Sequence, residues 1–124
     1  MTPDDRADEP GGAVPAFRGV GPALVTPMKP DGKVDPGAFA AHVERMIDGG
    51  VHFLVPCGTT GESATLTPSE QLRLIEACVD AADGRVPVMA GAGTNATRDA
   101  ADLARAAAGA GADGILSVSP YYNK

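Results

Sequence analysis

Gly58-Thr59-Thr60-Gly61-Glu62-Ser63 combines residue types that could hold a small anion. Two glycines let a backbone come close to a ligand, and two consecutive threonines offer hydroxyl and amide donors side by side. The stretch follows an apolar run, Val51 to Cys57, that reads as a buried strand, and it precedes a helix start at Thr67-Pro68-Ser69-Glu70. Loops at the carboxyl ends of strands are where parallel α/β proteins hold their ligands. A carboxylate or phosphate of small size suits this loop. It has neither the lysine and spacing of a P-loop nor a GxGxxG pattern, so it does not read as a nucleotide site. From spacing alone, an ordinary βα turn before a capped helix fits equally well.

The rest of the chain places that loop in a repeating frame. Val20 to Thr26 reads as a first strand, closed by Thr26-Pro27 and the polar turn Lys29 to Lys33. Asp35 can cap a helix whose first residue is Pro36, and Phe39, Val43, Met46 and Ile47 share one apolar face up to Gly49-Gly50. A second helix starts at the capping box Thr67-Pro68-Ser69-Glu70, carries Leu72, Ile75, Val79 and Ala82 as its expected buried stripe, and closes at Asp83-Gly84. Val86 to Ala90 reads as a third strand, followed by the small loop Gly91 to Asn95 and an alanine-rich helix from Thr97 to Ala108. Ile115 to Val118 reads as the fourth strand. The alternation β-α-β-α-β-α-β, repeating at roughly 30 residues, predicts parallel pairing of βα units. A doubly wound sheet would ordinarily finish on a helix. The half of a longer βα barrel fits better, since eight units need about 250 residues.

Composition bounds the rest. The 124 residues are 44% apolar and only 4% aromatic, so alanine, glycine and valine must fill much of the interior. A net charge of −6 and a pI near 4.7, with no basic stripe, exclude a nucleic-acid partner. No apolar run approaches the roughly 18 residues of a membrane helix. Cys57 and Cys78 fall in strand-end and helix segments with no secretory signal ahead of them, which suits a reduced, cytoplasmic setting. No Cys/His cluster has metal-ligand spacing. His42 and His52 read as packed residues, and Lys29 and Lys33 as solvated loop charges. Residues 1–16, rich in acids, glycine and proline, read as a disordered extension ahead of a domain spanning 17–124.

Four blocks carry a resemblance: Ala23-Leu24-Val25-Thr26-Pro27, Gly58 to Ser63, Ala90-Gly91-Ala92-Gly93 and Pro120-Tyr121-Tyr122-Asn123-Lys124. In this order and spacing the chain resembles the amino-terminal part of the dihydrodipicolinate synthase family. The resemblance implies the first half, about four βα units, of a (β/α)8 TIM barrel. It also implies a class I aldolase-type reaction. Pyruvate forms a Schiff base with a lysine and then attacks aspartate semialdehyde, without a metal or organic cofactor, because the imine itself is the electron sink. On this reading Thr59 and Thr60 hold the pyruvate carboxylate. Thr59 also joins a proton relay, and Tyr122 reaches the neighbouring subunit's site across a tight dimer within a tetramer. Ser63, Ala64, Asn95 and Tyr121 match a lysine effector site of some members. Pro68, Gln71 and Asp99 depart from it, the first two where lysine-sensitive members often carry His and the third where they carry Glu. The resemblance places the imine-forming lysine and a second relay tyrosine beyond residue 124, so this chain alone is expected to be inactive. Lys124 sits where the family places no imine, and an exposed lysine at its ordinary pKa is a poor nucleophile. Gly-Thr-Thr-Gly-Glu is shared with the wider pyruvate-dependent superfamily, including N-acetylneuraminate lyase. That leaves a sugar-acid aldolase and a non-catalytic half-barrel as alternatives.

Overall fold

A computed structural model of the chain describes residues 17–122. The expected amino-terminal extension (1–16) and the terminal Asn123 and Lys124 lie outside the described residues. Three helices, α1 (Pro36–Asp48), α2 (Pro68–Ala82) and α3 (Thr97–Gly109), alternate with extended segments, of which β1 (Met89–Gly91) and β2 (Gly114–Leu116) form a regular parallel ladder. The two earlier extended segments join the same sheet through single parallel bridges, Ala23 with Val55 and Leu54 with Val88. Four segments thus lie side by side in chain order. The first two are shorter than the expected strands because prolines interrupt them. Pro22, Pro56 and Pro87 have no N–H to give to a ladder. Their carbonyls still accept, from Val55 at 3.1 Å, Gly91 at 2.8 Å and Leu54 at 3.0 Å.

Helix starts follow the local chemistry of the sequence. Asp35 Oδ1 accepts the Ala38 N–H at 3.1 Å, with Pro36 at the first helical position. At α2 the Thr67 hydroxyl accepts the Glu70 N–H at 3.1 Å while the Glu70 carboxylate accepts the Thr67 N–H at 2.8 Å. A cap of this kind contributes about 1 kcal/mol. The α1 face is as expected: Phe39 and Val43 are fully buried, each contributing about 2 kcal/mol, with Met46 and Ile47 packed at its margin.

The buried stripe of α2 differs from the expected one. Gln71, Leu74, Ile75, Cys78 and Ala82 face the sheet, while Leu72 and Val79 are only half-buried. The two stripes are about one residue out of register. Apolar residues occur on both flanks of the helix, and it is the sheet, not helical periodicity, that selects the face. Leu72 and Val79 lie to one side, with Leu72 lining a cavity that also touches α3 and Val79 lying against Gly111.

Helix α1 packs on α2 and α2 on α3, so the three crossovers stand in a row along one face of the sheet. A doubly wound sheet would divide its helices between two faces. This is the wall of a barrel. At the amino-terminal end of the strands, Phe17 and Phe53 meet edge to face with ring centroids 5.4 Å apart. Along the outer side, Arg85 forks onto the Glu44 carboxylate of α1 at 2.8 and 2.9 Å.

The tightest point of the sheet is Gly91, where a Cβ would overlap the Cys57 carbonyl. Backbone cannot retreat as a flexible side chain can. Gly91→Ala is therefore expected to cost about 3 kcal/mol of folding stability, read as a lower midpoint in chemical denaturation.

Candidate active site at the carboxyl ends of the strands

The loop after the second extended segment is a tight turn between two residues with left-handed backbone, Cys57 at φ +60° and Glu62 at φ +59°. Neither is glycine, and each such residue costs about 1 kcal/mol. The surrounding structure compensates. Gly61 N–H donates to the Gly58 carbonyl at 3.1 Å and Glu62 N–H to the Thr59 carbonyl at 2.9 Å, closing the turn around Thr59 and Thr60. The Thr26 hydroxyl donates to the Gly61 carbonyl at 2.6 Å, and the Gln71 side-chain amide to the Ser63 carbonyl at 2.7 Å. Beyond Glu62 the chain enters a single 3-10 turn, Ser63–Thr65, which leads to α2.

At the tip, Thr59 and Thr60 are exposed, and their amides and hydroxyls have no hydrogen-bond partner among the described residues. Adjacent free donors on a rigid turn suit an anion. Thr59 lines a dent of about 40 Å³ together with Gly58, Gly91, Gly93, Leu116 and Val118. That dent gathers the ends of the second, third and fourth strand segments, and no charged side chain among the described residues lines it. Gly93 is needed there, because a Cβ would lie 2.5 Å from the Val118 nitrogen.

The other expected residues are placed as follows. Tyr122 is 98% exposed, has φ +75°, and does not line the dent beside Thr59. Ser63, Ala64 and Tyr121 come together in a separate cavity of about 650 Å³ between the starts of α2 and α3, lined also by Pro68, Gln71 and Asp99. Asn95 is exposed and outside that lining, its side-chain carbonyl accepting from Thr94 Oγ1 at 3.3 Å. His52 Nδ1 accepts the Val20 N–H at 2.8 Å, and half-buried His42 has its pKa lowered by burial and then by Arg45. His42 is thus partly packed as expected, whereas His52 is exposed and is held by that backbone hydrogen bond instead of by packing. Among the described residues no group of three or more His, Cys, Asp or Glu could hold a metal ion, and no helix is long and apolar enough to cross a membrane. Thr26 and Gln71 contact the loop directly; the sequence placed Thr26 only in a matching block and Gln71 only at an effector position, and neither contact with the loop was legible.

The model of the dihydrodipicolinate synthetase family matches residues 16–124. The chain belongs to this family. It is 62% identical over 110 residues to the 4-hydroxy-tetrahydrodipicolinate synthase of Phenylobacterium zucineum, an alignment covering 89% of this chain and 37% of that protein. The dihydrodipicolinate synthase structure from Aquifex aeolicus superposes with a TM-score of 0.84 at 48% identity, covering 87% of this chain and 36% of that one. The chloride-inhibited dihydrodipicolinate synthase of Acinetobacter baumannii, solved in complex with pyruvate, gives 0.86 at 43% identity, covering 88% and 38%. The chain thus spans a little over a third of the length of these family members. Its fold is the amino-terminal portion of their TIM barrel.

The two cysteines of the family segment are buried and free. Burial pushes both thiols up to about 12, with Cys57 adding to the effect at Cys78. An unfolded thiol ionises near pH 9 while the folded one stays neutral, so the folded state holds more protons between the two values. Stability is therefore full below about pH 9 and falls as pH rises towards 12. The expected outcome is a thiol titration at pH 8 in which neither cysteine reacts with an aromatic disulfide until denaturant is added. Denaturation midpoints should decline above pH 9.

Proposed function

We propose that this chain supplies the carboxylate-holding part of a 4-hydroxy-tetrahydrodipicolinate synthase, the lyase that condenses pyruvate with L-aspartate-4-semialdehyde in lysine and diaminopimelate biosynthesis. The observation that carries this reading is the turn at Thr59-Thr60. Two consecutive exposed threonines, whose amides and hydroxyls have no partner among the described residues, stand at the carboxyl end of a barrel strand. That is a donor set for a small carboxylate, and the family relative solved with pyruvate binds one of that size. With the carboxylate fixed there, a lysine amine on a later strand attacks the pyruvate keto carbon and water leaves as the imine forms. Loss of a methyl proton gives the enamine, whose carbon bonds to the aldehyde of the second substrate. Each step moves a proton, and hydroxyls in series can carry them without a strong base. Thr59 takes the first place in that relay. Tyr122, exposed at the end of the described chain, takes its place in the site of a second copy, within a tight dimer of a tetramer working in the cytoplasm.

Regulation belongs to the cavity lined by Ser63, Ala64 and Tyr121, with Asn95 nearby in sequence. Its amide donor at Gln71 is already committed to the Ser63 carbonyl, and Pro68 offers no donor at all. Neither position therefore supplies the imidazole donor that lysine-sensitive members often carry there, which favours weak or absent control by free lysine.

In the full product of the gene, Thr59→Val should lower turnover about 100-fold while changing stability by no more than about 0.5 kcal/mol, since the hydroxyl it removes has no partner among the described residues. Steady-state rates with pyruvate and aspartate semialdehyde, beside denaturation curves, separate the two effects; an unchanged rate would rule out the relay. In the same assay, millimolar lysine should leave the rate essentially unchanged, and strong inhibition would contradict the reading of Gln71 and Pro68.

A further inference from the structure

Thr26 is 6% exposed and takes no part in the chemistry just described. A buried hydroxyl at a strand end can bond to a carbonyl of its own segment. This one instead crosses 35 positions of sequence to reach Gly61, at 2.6 Å. The loop rests directly on the first strand segment there: a Cβ at Gly61 would lie 3.0 Å from the Leu24 carbonyl oxygen and 3.2 Å from Thr26 Oγ1. Gly61 is also the residue that closes the turn around Thr59 and Thr60, through its N–H to the Gly58 carbonyl. Its carbonyl belongs to the peptide that leads into left-handed Glu62. The bond from Thr26 therefore fixes the plane on which the turn ends. On the far side of Glu62, Gln71 holds the next carbonyl but one, that of Ser63.

We propose that Thr26 is a positioning residue for the ligand-holding turn: its hydroxyl holds the Gly61 carbonyl and so aims the donors of Thr59 and Thr60. Thr26 touches no substrate. It acts through the turn, and its effect on catalysis rests on the function proposed above. A donor displaced by an ångström costs far more rate than stability, so the signature of this role is a loss in substrate handling out of proportion to any loss of folding.

The test uses the full gene product as wild type, Thr26→Val, Thr26→Ser and, as a core control away from the turn, Val43→Ala. The expected result is a loss of at least about tenfold in kcat/KM for pyruvate in T26V, recovered for the most part in T26S and absent from V43A. Wild-type kcat/KM in T26V, or an equal loss in V43A, would overturn the proposal. Should T26V not fold, Thr26→Cys replaces it: a weaker S–H donor of similar size should fall between Ser and Val, and parity with wild type would count against the clamp. If the wild-type protein condenses nothing, the proposed function fails while the clamp is still decided by amide hydrogen exchange. Peptides covering 58–63 should exchange faster in T26V than in V43A or T26S, and equal exchange in all three would refute it.

Discussion

No side chain fits between the third strand and the carbonyl of Cys57. Gly91 occupies that contact, and its N–H bonds the carbonyl of Pro56 at 2.8 Å. The contact sets how the ends of the strands converge. With β1 drawn against the base of the Thr59-Thr60 turn, Gly93 comes under Val118, and one dent receives residues from three strand segments. A larger residue at either glycine would part the strands and flatten the dent. The low aromatic content of the chain has the same root, because interiors built on such close approach are filled by small residues packed to high density.

Prolines shape the sheet as much as glycines do. The first two strand segments pair through single bridges because Pro22, Pro56 and Pro87 donate nothing, yet each carbonyl is used. Side chains then take over part of the backbone's usual task. Asp113 Oδ2 accepts the Val88 N–H at 2.9 Å, and Thr26 and Gln71 bond carbonyls in the loop. Every buried side-chain nitrogen or oxygen among the described residues finds a partner, as a low-dielectric interior demands.

Local chemistry was the legible part of this fold. Asp35-Pro36 and Thr67-Pro68-Ser69-Glu70 mark helix starts because capping is decided within four residues, and the βα alternation follows from runs of apolar residues between polar turns. The face that α2 buries was not legible in the same way, since the choice between Leu72 and Leu74 is made by a sheet assembled from distant segments. The turn at Gly58 to Ser63 could be read as a loop for small anions. Its two left-handed residues, Cys57 and Glu62, could not, because residues of those types adopt that backbone only where surrounding contacts impose it. Thr26 belongs to the same group: its role depends on a partner 35 positions away.

Strand order in space repeats strand order in the chain, from Ala23 through Val55 and Val88 to Ile115. Among the described residues each segment therefore meets the next across one intervening helix. As the polypeptide leaves the ribosome, amino end first, docking can proceed one βα unit at a time. The groups that shape the Thr59-Thr60 turn, from Thr26 to Gly91, are all present by the time the third strand has been made. In this architecture the Thr59-Thr60 turn is among the first parts of the barrel to be finished.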